Sequence, residues 1–220
     1  MPLKYTLVTD GSSDRTLIPI LNWLCEIHFQ EVTEGQWFDP RPFSPQTRSL
    51  GSRIILSLEW FPCNILFIHR DAEGDCHQKR CKEISQTIQS LATHPMKTPY
   101  ICVIPVRMTE AWLLFDEGAI RRAAGNPNGR MGLNLPSIRD ADKINDPKDF
   151  LFEAIKKASG LNNHRQKRIN LSQSRIRLSE LIKDFAPLRE LNAFKMLEDD
   201  IINLRNSIGA VSIIQPETWR

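Results

Sequence analysis

The stretch NILFIHRDAEGD, residues 64–75, decides how the chain is read. Ile65, Leu66, Phe67 and Ile68 are continuously apolar, and polarity then switches abruptly into His69, Arg70, Asp71, Glu73 and Asp75. A short apolar run bounded by polar turn residues is the pattern of a strand buried on both faces, as in a parallel sheet. A second such strand is expected over 100–106, YICVIPV. Upstream, a β-type run over residues 4–9 stops at Asp10 and Gly11. Helix signals follow at once: Ser12 or Ser13 as N-cap, Asp14 in the first turn, then Leu17, Ile18, Leu21, Trp23, Leu24 and Ile27.

The rest of residues 1–125 alternates in the same way. The Pro- and Gly-rich segment 32–46 reads as a short strand within loops, and 47–61 as a helix with Leu50, Ile54, Ile55 and Leu58 on one face. A helix is expected from Cys76 to about Leu91, and another over 107–125, closed by Gly125. Alternating strands and helices with short turns predict an α/β fold whose mostly parallel sheet is flanked by helices. The texture changes at residue 126, after which come a Gly/Pro/Asn-rich loop and then only helical patterns, over 149–158, 172–185 and 187–208. The expected organisation is an α/β core over 1–125 and a loop plus helical C-terminal region over 126–220. Leu188, Leu191, Phe194, Leu197, Ile201 and Leu204 form an apolar stripe that fits either the core or a docking surface.

Composition narrows the class. No run of about 18 apolar residues is present, so no transmembrane helix is expected, and the N-terminus lacks a signal-peptide pattern. The 5 cysteines are irregularly spaced and imply no disulfide framework. A cytoplasmic protein is expected. The net charge is only +3, yet residues 161–180 hold Arg165, Lys167, Arg168, Arg175 and Arg177 against Glu180 alone. Such a stripe suits a phosphate backbone or a solvated helix face.

In open parallel sheets, ligands bind at the carboxyl ends of the strands. Asp10 and Asp14 follow the first predicted strand, and Asp71, Glu73 and Asp75 follow the buried strand at 65–68. If the two strands are neighbours, their carboxylates converge and repel one another, and Mg²⁺ or Mn²⁺ relieves this because hard oxygen ligands suit those ions. Other chemistries fit less well. TDGSS lacks the nucleophile of the aspartate phosphatases, because Val8 stands two residues before Asp10. HRD at 69–71 resembles a kinase catalytic loop, but Cys76 replaces its metal-binding Asn. No Walker P-loop is present. Cys76, His77 and Cys81 match no standard zinc spacing.

Asp10-Gly11-Ser12-Ser13-Asp14, followed by Asp71-Ala72-Glu73, resembles the TOPRIM superfamily of topoisomerases, primases and OLD-type nucleases. Those proteins carry an acid and glycine after the first strand and D-x-D after a later one. The segment RMTEAWLLFD, residues 107–116, resembles an E-x-W-L-L segment of small prokaryotic TOPRIM-like proteins, many of them encoded beside ATPases in phage-defence settings. The resemblance spans residues 3–125. It departs from the family in having Asp10 for Glu and Glu73 for the second Asp, and His69 also permits an H-x-D-x-E register.

The resemblance implies a Mg²⁺- or Mn²⁺-dependent nuclease acting on DNA or RNA, the effector of an antiviral defence system. Asp71 and Glu73 would hold the metal, Asp10 would complete its shell or act as acid/base, and Asp14 would support a metal or its water. Glu110 is the candidate ligand for a second metal. Arg70, Arg107 and the residues Arg165, Lys167, Arg168, Arg175 and Arg177 would engage nucleic acid. The expected partners are nucleic acid and an ATPase or a second copy of the chain. The alternative is a non-catalytic binding or regulatory subunit that keeps the fold.

Overall fold

The computed structural model describes residues 2–72, 76–91 and 96–213. Four strands, β1 (Leu3–Val8), β2 (Thr33–Phe38), β3 (Ile65–His69) and β4 (Tyr100–Val103), form one all-parallel sheet in the order β2-β1-β3-β4. The protein is therefore α/β, with helices on both faces of the sheet and a helical C-terminal part. No helix among the described residues is long and apolar enough to cross a membrane.

The period of two along each strand sorts its side chains between two hydrophobic clusters. Tyr5 and Leu7, Ile65 and Phe67, and Ile101 and Val103 point into the larger cluster. Val8, Leu66, Ile68, Cys102 and Ile104 point into the smaller one. The smaller cluster is covered by α2 (Leu50–Trp60) and α3 (His77–Ser90), through Ile54 and Ile84. The larger is covered by α1 (Leu17–Phe29) and by the C-terminal half.

That C-terminal half comprises α5 (Pro147–Ser159), the short α6 (Asn163–Gln166), α7 (Leu171–Leu181) and α8 (Asn192–Ile213). The larger cluster crosses residue 126 without a seam: Leu17, Leu21 and Leu24 of α1 share it with Leu151, Ile155, Leu178, Phe194 and Ile201. Trp112 meets Phe194 edge-on at 5.5 Å, and Trp23 meets Phe185 at 6.1 Å. Of the apolar stripe, Leu188, Leu191, Phe194, Leu197 and Ile201 are at most 2% exposed, so it is core and not a docking face. Full burial of each such side chain contributes roughly 1.5–3 kcal/mol before entropy is counted.

Three helix expectations are corrected, the first being that over 187–208, which is a 3₁₀ turn, Ala186–Glu190, an extended Leu191 and then α8. The helix expected over 107–125 is split into a 3₁₀ turn, Thr109–Leu113, and α4 (Glu117–Ala123). Asp116 divides them, because its carboxylate accepts from the Ala119 N–H and caps a new helix. Gly125 does close this segment, at φ 76°. At the start of the chain neither Ser12 nor Ser13 caps α1. A 3₁₀ turn, Ser12–Thr16, comes first, with Gly11 as its N-cap residue.

Gly35 has a packing role on edge strand β2. A Cβ there would lie 2.3 Å from the Tyr5 ring, whose hydroxyl donates to Asn22 Oδ1 at 2.8 Å. Only glycine lets β2 pair over that ring.

Candidate metal and nucleic-acid site

β1 and β3 are neighbours, with Val8 opposite Ile68. The residues that follow them therefore meet at the carboxyl edge of the sheet. After β1 the chain winds tightly: the Thr9 hydroxyl donates to Gly11 O at 2.8 Å, and the Gly11 N–H donates to Asp14 Oδ2 at 3.1 Å. The Ser13 hydroxyl donates to Asp14 Oδ1 at 2.8 Å. These bonds hold Asp14 in place although it is only 7% exposed. Each carboxylate oxygen keeps a second lone pair.

His69 is the last residue of β3 and is 1% exposed. Its Nδ1 lies 2.9 Å from the carbonyl of Val103, which can only accept, so Nδ1 carries a proton. Nε2 is left facing Asp71 Oδ1 at 3.5 Å, Asp14 Oδ2 at 3.8 Å and the Thr109 hydroxyl at 3.5 Å. A bare nitrogen lone pair and two carboxylates repel one another. The Ala72 N–H donates to Pro105 O at 3.0 Å, which continues the β3–β4 register past the strand ends and positions Asp71.

Two other expected acids are engaged by arginines. Asp10 Oδ1 is paired with Nη1 of Arg53, from α2, and its Oδ2 lies 3.2 Å from Arg70 Nε. Glu110, in the Thr109–Leu113 turn, is paired with Arg175 of α7; the two residues are 6% and 4% exposed. The guanidinium of Arg175 also sits over the Phe152 ring at 5.7 Å. Arg175, expected to engage nucleic acid, is thus the counter-ion of Glu110, the expected ligand for a second metal, and it also lines the polar cleft beside the sheet's carboxyl edge. Arg70, expected to face nucleic acid, turns instead toward Asp10 and, at 4.0 Å, Glu83.

Glu73 lies outside the described residues, as does Asp75. Among the described residues, no group of three or more His, Cys, Asp or Glu side chains is arranged to hold a metal ion. Asp14 and Asp71 nonetheless fit a hard divalent cation that keeps much of its water, since Mg²⁺ commonly takes only one or two protein carboxylates. Asp10 and Glu110 fit less well, being occupied by guanidinium groups.

Beside this edge runs a polar cleft between the Ser12–Thr16 turn and the first turns of α7. It consists of two cavities, of about 370 and 640 Å³, which share Arg15, Asn170, Gln173 and Ile176. Ser12, Trp37, Arg41 and Ser172 line the first, and Arg177 and Glu180 the second. The Trp37 indole N–H donates to Thr9 Oγ1 at 3.1 Å, which ties the cleft wall to the end of β1. Arg165, Lys167, Arg168 and Arg177 are exposed, and Arg107 is half-buried after β4.

Sequence patterns did not single out Arg53, Arg15, Arg41, Trp37 or Thr109. None lies in an acidic motif, and each joins the site through tertiary packing. His69 had a signal, its place two residues before Asp71. None of the family models, curated proteins or solved structures compared with this chain matches it.

Proposed function

We propose that the chain is a TOPRIM-type nuclease, a Mg²⁺- or Mn²⁺-dependent hydrolase of phosphodiester bonds in DNA or RNA. We place it in the cytoplasm, as the effector of an anti-phage defence system with an ATPase partner. The observation that carries the chemistry is the approach of Asp14 and Asp71 to one imidazole nitrogen, at 3.8 and 3.5 Å, where adjacent parallel strands end.

Asp14 and Asp71 would hold the ion, with Glu73 as the remaining family ligand. Bound there, the ion supplies Lewis-acid stabilisation of charge on a phosphoryl oxygen. The chain's own residues do the rest. His69 Nε2 accepts or returns a proton at the reacting edge, and Val103 O fixes the ring so that this nitrogen faces inward. Arg15, Arg41 and Arg177 would take successive phosphates along the cleft, and their contribution should fall steeply with salt.

A second function, a regulatory subunit that binds without cutting, is favoured by one specific observation. The acid that stands where the family has its first Glu, Asp10, is neutralised by Arg53 and Arg70. The test is cleavage of single- and double-stranded DNA and RNA with Mn²⁺, comparing the wild type with Asp71→Ala. Cleavage lost in a folded Asp71→Ala supports the nuclease. Cleavage by neither protein, with no Mn²⁺ binding to the wild type by calorimetry, supports the regulatory subunit.

A further inference from the structure

Arg15 lines both cavities of the cleft, and the smaller one, of about 370 Å³, is also lined by Trp37 and Arg41. The guanidinium carbon of Arg41 lies over the Trp37 ring, 5.9 Å from its centre. Asp39 holds that guanidinium, accepting from Nε at 2.8 Å and from Nη2 at 2.5 Å. The ring itself is anchored by its N–H, which donates to Thr9 Oγ1 at 3.1 Å. The Thr9 hydroxyl donates onward to Gly11 O, and the Gly11 N–H donates to Asp14 Oδ2. Trp37 is thereby tied to the turn that carries both Asp14 and Arg15.

We infer that the cleft takes single-stranded nucleic acid, with Trp37 as the platform on which a base stacks and Arg15 and Arg177, both exposed, on the phosphates that follow. The inference rests on the proposed reading of the cleft as the path of a nucleic acid, and it names the form that suits the cleft. Duplex DNA is read by a helix or ribbon that projects into a groove. Here the arginines and the aromatic line a hollow between a turn and α7. A duplex also keeps its base faces stacked inside, so it has none to lay on Trp37 unless a nucleotide is first flipped out at a cost. In a single strand those faces are free. A basic groove with an aromatic ring or a guanidinium plane for the bases is how such strands are held.

The experiment measures binding by fluorescence anisotropy in EDTA, so that neither metal nor cleavage enters. The probes are labelled single strands about 12 nucleotides long, as DNA and as RNA, and the same strands annealed to their complements. At least one single strand should bind roughly tenfold more tightly than its own duplex. Trp37→Ala should weaken that binding roughly 5- to 150-fold without changing the slope of log Kd against log salt. Trp37→Phe, which keeps a ring to stack on, should retain most of it. Arg177→Ala should instead reduce the magnitude of the salt slope by about 0.7.

A duplex that binds as tightly as its single strand, binding to no probe, or a folded Trp37→Ala that binds as the wild type does would overturn the inference. The wild-type comparison decides the matter even if Trp37→Ala fails to fold. Failure of the nuclease reading looks different: single-strand binding with no cleavage in Mn²⁺ removes the enzyme and leaves this inference standing.

Discussion

The middle of the sheet's carboxyl edge and its flanks solve the same electrostatic problem in opposite ways. On the flanks, each acid has been given a cation by a distant helix: Asp10 by Arg53 of α2, and Glu110 by Arg175 of α7. In the middle, Asp14 and Asp71 face one imidazole nitrogen, His69 Nε2, at 3.8 and 3.5 Å. Where the protein has supplied its own cation, an acid serves the fold. Asp14, held by the Gly11 N–H and the Ser13 hydroxyl, keeps a second lone pair on each oxygen. The difference separates structural carboxylates from candidate ligands more sharply than motif membership, which had put Asp10, Glu110 and Asp71 in one class.

The comparison breaks if the flanks prove dispensable. Glu110→Ala leaves the Arg175 charge buried without its partner and should destabilise the fold by about 3–5 kcal/mol in urea denaturation. A stability change under about 1 kcal/mol would mean that water reaches the pair. In the middle, Mn²⁺ at a hundredfold excess over its Kd should raise wild-type stability by about 2.7 kcal/mol. Asp71→Ala should abolish that rise in a thermal melt. An undiminished rise would place the cation elsewhere.

A smaller effect is expected at the exposed flank. Asp10→Asn should cost no more than about 1 kcal/mol, because Asp10 is 44% exposed at its side chain, and Mn²⁺ affinity should survive. Loss of Mn²⁺ binding in a folded Asp10→Asn would return Asp10 to the metal shell. The smallest effect lies away from the edge. Arg189, then His28, hold the Glu198 carboxyl below its ordinary 4.5, against the opposing effect of burial. Its contribution to stability is full above that ordinary value and is lost as pH falls through the depressed one. Glu198→Gln should therefore flatten the acid limb of a stability–pH curve below about pH 4.5; an unchanged limb would remove the pair from that role.

Much of the scaffold was legible because it rests on local patterns. The apolar run at 65–68 lies in β3 and the first part of the run at 100–106 is β4, and Asp10, Asp14 and Asp71 follow strands β1 and β3, which are paired. What was hidden depends on chain separation. Arg53 meets Asp10 across 43 positions, and Arg175 meets Glu110 across 65. No periodicity encodes such pairs, so Arg175 read as part of a basic stripe. The split at Asp116 was masked because Leu113, Leu114 and Ala119 continue a helical apolar pattern through the cap. The texture change at residue 126 marks where strands end, while the larger core runs straight through it.

The edges of the sheet carry one more consequence. A four-stranded open sheet offers two rows of unpaired backbone groups to any other extended chain. β4 is only 4 residues long and has α8 alongside, with Leu204 and Asp200 near Tyr100 and Cys102. β2, at the other edge, presents Glu34 and Gln36 to solvent, and Glu34 lies 3.6 Å from Lys4. A neighbouring strand added there would have to desolvate those charges. The sheet is thus guarded against templated self-association, by a helix on one side and by charge on the other.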